Sequence, residues 1–210
     1  MANGIQVKII LLFSSTHHVT YAIRRFSLTL LTMKNYTDPV DNAYRNIISF
    51  VAQGTNSGKT YLLERLITEL KGRGRKIAAI KHAMHQHSVD PEGKDTYKFA
   101  ARGADRIVLF SPEGLLMYEA KHPEIPYLYT IASQGMDIIL VEGFKSGPFK
   151  KIEVFNEELY AVPLFIEQPS PDYIAIVSRN PMDVGIPHFF FEDIDAIAAF
   201  IEVYAGLISD

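Results

Sequence analysis

The stretch from Asn46 to Gly74 constrains the fold more than any other part of this 210-residue chain. A short β-rich apolar run, Ile47-Ile48-Ser49-Phe50-Val51-Ala52, stops at Gln53-Gly54-Thr55-Asn56-Ser57-Gly58-Lys59-Thr60. Leu62, Leu63, Leu66, Ile67 and Leu70 then recur at helical spacing until Lys71-Gly72-Arg73-Gly74. The order is strand, glycine-containing loop, helix. Phosphate oxygens need several donors converging on them, and such a turn aims successive backbone N–H groups inward while the helix N-terminus adds its positive end. The loop is therefore predicted to hold an anion with Gly54, Asn56, Ser57 and Gly58. Lys59 would reach the β/γ-phosphates and Thr60 would offer its hydroxyl to Mg²⁺. One departure stands out: the full pattern wants glycine five positions before Gly58, and Gln53 is there instead.

Beyond this unit, residues 77–80 form a second buried-type strand ending at Lys81-His82, with a polar loop through Gly93. A helix is predicted over 95–102 and a pair of strands over 106–110 and 115–118, around the turn Pro112-Glu113-Gly114. Residues 125–132 read as a further helix. The run Ile138-Ile139-Leu140-Val141 is continuous enough to be a strand buried on both faces, residues 152–155 and 173–177 add two more, and Ile194, Ile197, Ala198 and Ile201 mark a C-terminal helix. Alternating strands and helices predict an α/β chain: a three-layer P-loop nucleotide-binding fold with a mainly parallel sheet, over residues 46–210. No internal repeat interrupts it.

A triphosphate site also needs a carboxylate past the end of a neighbouring strand to hold Mg²⁺ or its water. Glu142 ends the most apolar strand and Gly143 lets the chain turn closely there, so Glu142 is assigned to the metal and, with Lys59, to catalysis. A third constellation is Lys81-His82-Ala83-Met84-His85-Gln86-His87-Ser88-Val89-Asp90, followed by Gly93-Lys94-Asp95. Spacing of His82, His85 and His87 in a loop is not a ligand signature, and a solvated polar loop fits equally well. The segment nevertheless leaves a strand next to the phosphate loop, where open α/β sheets bind ligands. Lys81, Asp90, Lys94 and Asp95 are accordingly candidates to touch phosphate, metal or a second substrate.

Composition narrows the classes. Charges of 21 − 24 = −3 supply no global field for nucleic acid or an anionic membrane, so neither partner is expected and a polyanion must be held locally. Zero cysteines exclude disulfide frameworks, thiolate nucleophiles and cysteine metal sites. The early apolar stretch at 9–13 is far short of the ~20 residues a bilayer span requires, and a soluble, cytoplasmic chain is expected. Residues 1–45 are set apart as an N-terminal extension. Their first acidic residue is Asp38, after Lys8, Arg24, Arg25 and Lys34. This reads either as a targeting or docking segment or as sequence upstream of a true start at Met33.

Together these segments resemble one family, the molybdopterin-guanine dinucleotide biosynthesis adaptor proteins (MobB). The likeness rests on Gly54-Thr-Asn-Ser-Gly-Lys-Thr60, Lys81-His82-x-x-His85 running to Asp90 and Gly93-Lys94-Asp95, Ala101-x-Gly103-Ala104, and Leu140-Val141-Glu142-Gly143-Phe144-Lys145. It covers about residues 46–206. The resemblance implies a GTP-binding, Mg²⁺-dependent protein, a homodimer with weak GTPase activity. It would assist a MobA-type partner transferase that joins GMP to molybdopterin. Two positions depart from the family: Tyr61 stands where threonine usually repeats, and Ser178-Arg179 where Ser-Asp precedes a proline. A carboxylate there could pair with the guanine edge. From the residues alone, a P-loop small-molecule kinase with Asp90 or Asp95 as base, or a nucleotide switch without turnover, remain alternatives. Arg102 and Arg106 lie near the right region for a transition-state cation but read equally as helix-end and strand-start residues.

Overall fold

A computed structural model describes residues 44–83 and 90–208. Six strands, β1 (Ile47–Val51), β2 (Ile77–Lys81), β5 (Ile138–Glu142), β6 (Lys150–Val154), β7 (Tyr173–Ser178) and β8 (His188–Phe190), form one sheet in the order β2-β5-β1-β6-β7-β8. Every pairing in it is parallel. A separate antiparallel hairpin joins β3 (Arg106–Ser111) to β4 (Gly114–Glu119). The helices are α1 (Lys59–Gly72), α2 (Asp95–Ala101), α3 (Ile125–Ser133), a single turn α4 (Leu164–Glu167), and α5 (Ile194–Tyr204).

Strand alternation sorts the layers, because successive side chains point to opposite faces. Ile47, Ile139 and Val141 pack with Phe149 against Ile125, Tyr129 and Ala132 of α3. Helix α1 lies with α5 and closes the other side, burying Leu62, Leu63, Leu66 and Leu70. The predicted three-layer, mainly parallel α/β architecture is the observed one. No helix among the described residues is long and apolar enough to cross a membrane.

The structure adds elements whose sequences lack a clear period. Strand β6 starts at Lys150, two residues before the predicted run, and both Lys150 and Lys151 are buried. Buried ammonium groups require partners. Lys151 Nζ donates to the carbonyls of Gly147 and Phe149 at 3.0 Å each and to Asp172 at 3.2 Å, while Lys150 Nζ lies 3.6 Å from Asp172. The three-residue β8 and the one-turn α4 were not predicted. The boundary at residue 45 also moves. Tyr44 packs edge-on against Tyr129 and Phe149, and Arg45 Nε donates to the Tyr204 carbonyl at 2.6 Å, so both residues belong to the folded domain.

Candidate functional site

The site lies at the carboxyl ends of β1, β5 and β6, where β1 runs into the 52–58 loop. Asn56 (φ 57°) and Gly58 (φ 91°) take the left-handed backbone, a conformation that asparagine and glycine tolerate best. A Cβ at Gly58 would also lie 2.8 Å from the Phe191 ring. Ser57 Oγ donates to the Gly54 carbonyl at 3.2 Å, which pins the loop from within. Among the described residues nothing accepts a hydrogen bond from the N–H groups of residues 55–58. The loop has the form of an anion cradle.

The departure at Gln53 has a physical reason. Gln53 does not take a positive φ, so no glycine is required there. Gly54 is the crowded position, because a Cβ there would come within 2.2 Å of Tyr160 Oη. Tyr160 belongs to the segment between β6 and α4, and buried Glu153 anchors that segment by accepting the N–H groups of Leu164 (2.6 Å) and Phe165 (2.9 Å). Burial pushes the Glu153 carboxyl up, against the pull of those two bonds.

Four charged or hydroxyl side chains converge on the cradle. Lys59 Nζ donates to the Gly54 carbonyl at 2.7 Å. Its pKa is lowered by burial first, with Lys145 and Lys81 adding to the effect and Glu142 opposing it. Thr60 Oγ1 donates to Glu142 Oε1 at 3.0 Å, and Lys81 Nζ lies 3.6 Å from Glu142 Oε2. The register β2–β5–β1 explains this: Lys81 pairs with Glu142 and Glu142 with Phe50, so the three strands end level beneath the loop. A cleft of about 170 Å³ opens beside Thr60, Lys81 and Glu142, toward Leu63 and Ile67. Ligand pockets run to about 300–1,000 Å³, so a nucleotide would lie largely over the open loop.

The donor set suits a hard divalent cation. Thr60 Oγ1 and the Glu142 carboxylate are oxygen donors of the kind Mg²⁺ takes, and they are the residues that would hold it.

Other predicted residues are engaged elsewhere. Asp90 accepts from Thr96 Oγ1 at 2.7 Å, Lys94 is the residue before α2, and Asp95 pairs with Lys98 at 2.9 Å. None has a described contact with the loop. His82 stacks on Phe144, with centroids 4.6 Å apart. His85 and His87 lie outside the described residues, and no metal-capable cluster of histidines and carboxylates occurs among those described. Arg106 is spent on Glu119 and on Tyr127 Oη (2.8 Å) within the hairpin region. Arg179 turns outward to Glu158 at 2.9 Å, while Glu157 accepts from the N–H groups of Arg179 (3.0 Å) and Asn180 (2.5 Å). Tyr61 is exposed and carries the Arg65 guanidinium over its ring. Sequence reasoning passed over Tyr160 and Lys145. Lys145 was visible only as the last residue of the Val141–Lys145 segment, and its Nζ donates to the Gln53 carbonyl at 2.8 Å.

A six-stranded parallel sheet with a strand–loop–helix anion cradle and a carboxylate on the neighbouring strand defines the P-loop class of α/β proteins. Comparison with known proteins narrows this. Residues 47–179 match the family described as molybdopterin guanine dinucleotide synthesis protein B. The chain is 34% identical over 155 residues to the molybdopterin-guanine dinucleotide biosynthesis adapter protein of Haemophilus influenzae, covering 70% of this chain and 83% of that one. It is 33% identical to the Escherichia coli adapter protein, with 74% and 90% covered. A crystal structure of molybdopterin-guanine biosynthesis protein B superposes with a TM-score of 0.59 at 25% identity, over 77% of this chain and 99% of that one. Bacillus subtilis MobB shares the fold, at a TM-score of 0.57 over 73% and 96%. The chain belongs to the MobB family of molybdopterin-guanine dinucleotide biosynthesis adapter proteins.

Proposed function

We propose that this adapter protein binds GTP with Mg²⁺ on the 53–60 loop, hydrolyses it slowly, and assists a MobA-type transferase in joining GMP to molybdopterin. The observation that carries the reading is the convergence of Lys59, Thr60 and Glu142 on one unpaired backbone cradle. Lys59 is held ready for phosphate: burial disfavours its charge until an anion arrives, so a triphosphate gains a strong contact in exchange for the Gly54 carbonyl. Thr60 and Glu142 would hold Mg²⁺, which supplies charge neutralisation between β- and γ-oxygens when bound.

Base choice follows from the end of β7. Arg179 leaves no carboxylate at its own position, and the nearby acidic group, Glu157, reaches the 179–180 amides from another segment. Guanine is preferred over adenine, but less sharply than in a site with a dedicated acceptor. Turnover is slow because Arg106, one of the two arginines considered for transition-state charge, is bound to Glu119. A cation supplied in trans adds ~10³–10⁵ in rate. The compartment is the cytoplasm, and the working unit is a homodimer.

Calorimetric titration of wild type and Lys59→Ala with GTP and ATP, with Mg²⁺ present, tests this. Loss of a charge-assisted phosphate contact, roughly 2–3 kcal/mol, lowers affinity at least tenfold. Unchanged affinity in the folded variant would remove the phosphate role, tighter ATP binding would overturn the base assignment, and fast turnover without a partner would argue for an autonomous enzyme.

A further inference from the structure

The turn after β5 is built against its own backbone preferences. Gly143 (φ 88°) and Phe144 (φ 63°) are successive left-handed residues, and a phenylalanine in that region carries strain that the surroundings must hold. Here they do so. The Phe144 ring is stacked on His82 at 4.6 Å and 19° and packs edge-on against Phe149 at 5.9 Å, and its carbonyl accepts from Gly147 N–H at 2.9 Å. A Cβ at Gly147 would meet that ring at 2.6 Å, so the glycine is part of the clamp. The clamp fixes the direction of the next residue, Lys145.

Lys145 is exposed along its length, yet its ammonium is drawn back onto the Gln53 carbonyl at 2.8 Å. The adjoining carbonyl, that of Gly54, takes the Lys59 ammonium at 2.7 Å. Two cations therefore rest on consecutive carbonyls at the mouth of the cradle. Lys145 has no carboxylate within ion-pair distance among the described residues. Lys145 and Lys81 gather positive charge around Lys59 with Glu142 as the opposing carboxylate, and a polyanion relieves the excess. The two differ in freedom: Lys59 is confined beneath the loop by α1, while Lys145 reaches in from the solvent side on a rotatable stem.

We propose that Lys145 is a phosphate-binding residue that engages the terminal phosphate of a bound triphosphate, making the loop discriminate triphosphate from diphosphate. This rests on the nucleotide-binding reading above. On arrival of the triphosphate, the Lys145 ammonium leaves the Gln53 carbonyl for a terminal phosphate oxygen. A diphosphate leaves it where it stands.

The test uses the full chain, titrated with GDP and with the slowly hydrolysed analogue GTPγS in Mg²⁺. Lys145→Ala should weaken GTPγS binding by about tenfold and alter GDP binding by less than about twofold, and Lys145→Arg should recover most of the loss. A purely structural role, in which Lys145 only braces the loop through Gln53, would weaken both nucleotides equally. Equal loss, or no loss for GTPγS, overturns the proposal while leaving nucleotide binding intact. A wild-type protein that binds neither nucleotide instead overturns the reading on which it rests.

Discussion

The Thr60 hydroxyl donates to Glu142 Oε1 across 3.0 Å, linking the first turn of α1 to the last residue of β5. The two groups come from positions 82 residues apart, and each is the polar residue at which an apolar element ends or begins. Glu142→Gln keeps the shape and a bond to Thr60 but loses the charge that a divalent cation needs. Nucleotide affinity should therefore fall about tenfold or more with Mg²⁺ and stay within about twofold in chelator. Equal losses in both titrations would mark Glu142 as structural.

The Gly54–Tyr160 contact makes a separable prediction about stability. Gly54 lacks a positive φ, so alanine suits its backbone, and the obstacle is the Tyr160 hydroxyl 2.2 Å from the new Cβ. The next atom, Cζ, lies at 3.4 Å, an ordinary contact. Gly54→Ala should cost about 1–3 kcal/mol through overpacking. Adding Tyr160→Phe should restore most of it. Thermal melts of the two single variants and the double variant measure the coupling, and additive effects would mean that the clash is absorbed elsewhere.

Legibility followed periodicity. Ile138 to Val141 and the Leu62–Leu70 face announced their elements because burial on both faces, or on one helical stripe, leaves a regular pattern. Lys150, Lys151 and Glu153 broke the pattern of β6, since their burial is satisfied by carbonyls, Asp172 and helix amides that only the tertiary fold brings near. Lys59 and Thr60 were placed beside the loop by local spacing, and Glu142 by its position at the end of the apolar β5 run. Lys145 and Tyr160 were not, because each reaches the loop from about a hundred residues away in sequence. Asp90 and Asp95 show the converse: a plausible position in a loop, with hydrogen bonds spent nearby.

The β3–β4 hairpin offers the proposed homodimer an apolar surface. Cross-strand neighbours share a face, so Phe110 and Leu115 lie on one side with Val108 and Met117, and Leu109 and Leu116 on the other. Both sides are apolar, and Phe110 and Leu115 are 80% and 70% exposed. A two-stranded ribbon is marginal in water by itself, and packing one of its faces on the same face of an identical ribbon would bury that face symmetrically. Phe110→Asp should convert dimer to monomer in sedimentation equilibrium at micromolar concentration, while leaving the Lys59-dependent nucleotide affinity of each subunit in place. A monomeric wild type would refute the assignment.

Acid sensitivity should centre on Glu202, which joins α5 to the end of α1. Its buried carboxylate takes Arg73 Nη1 at 2.7 Å and Arg75 Nε at 2.5 Å, while Arg73 also reaches Asp195 at 2.6 Å and Glu69 at 2.8 Å. Burial alone would raise the Glu202 pKa, but the bonds and charges of the two arginines outweigh it and leave the carboxyl below its ordinary value. A carboxyl with a depressed folded-state pKa contributes stability that is fully present above its unfolded value, about 4.3, and is lost as pH falls through the folded value. Glu202→Gln removes the counter-charge that Arg75 pairs with and one of three that Arg73 pairs with, and should cost about 3 kcal/mol at neutral pH, or roughly 6–12 °C in melting temperature for a domain this size. The difference between wild type and variant should then shrink as pH drops below about 4, because protonated glutamic acid and glutamine are near equivalents there. Melts from pH 7 down to pH 3 read this directly. A gap that persists at pH 3 would assign the loss to packing of α5 on α1 and not to the ion network.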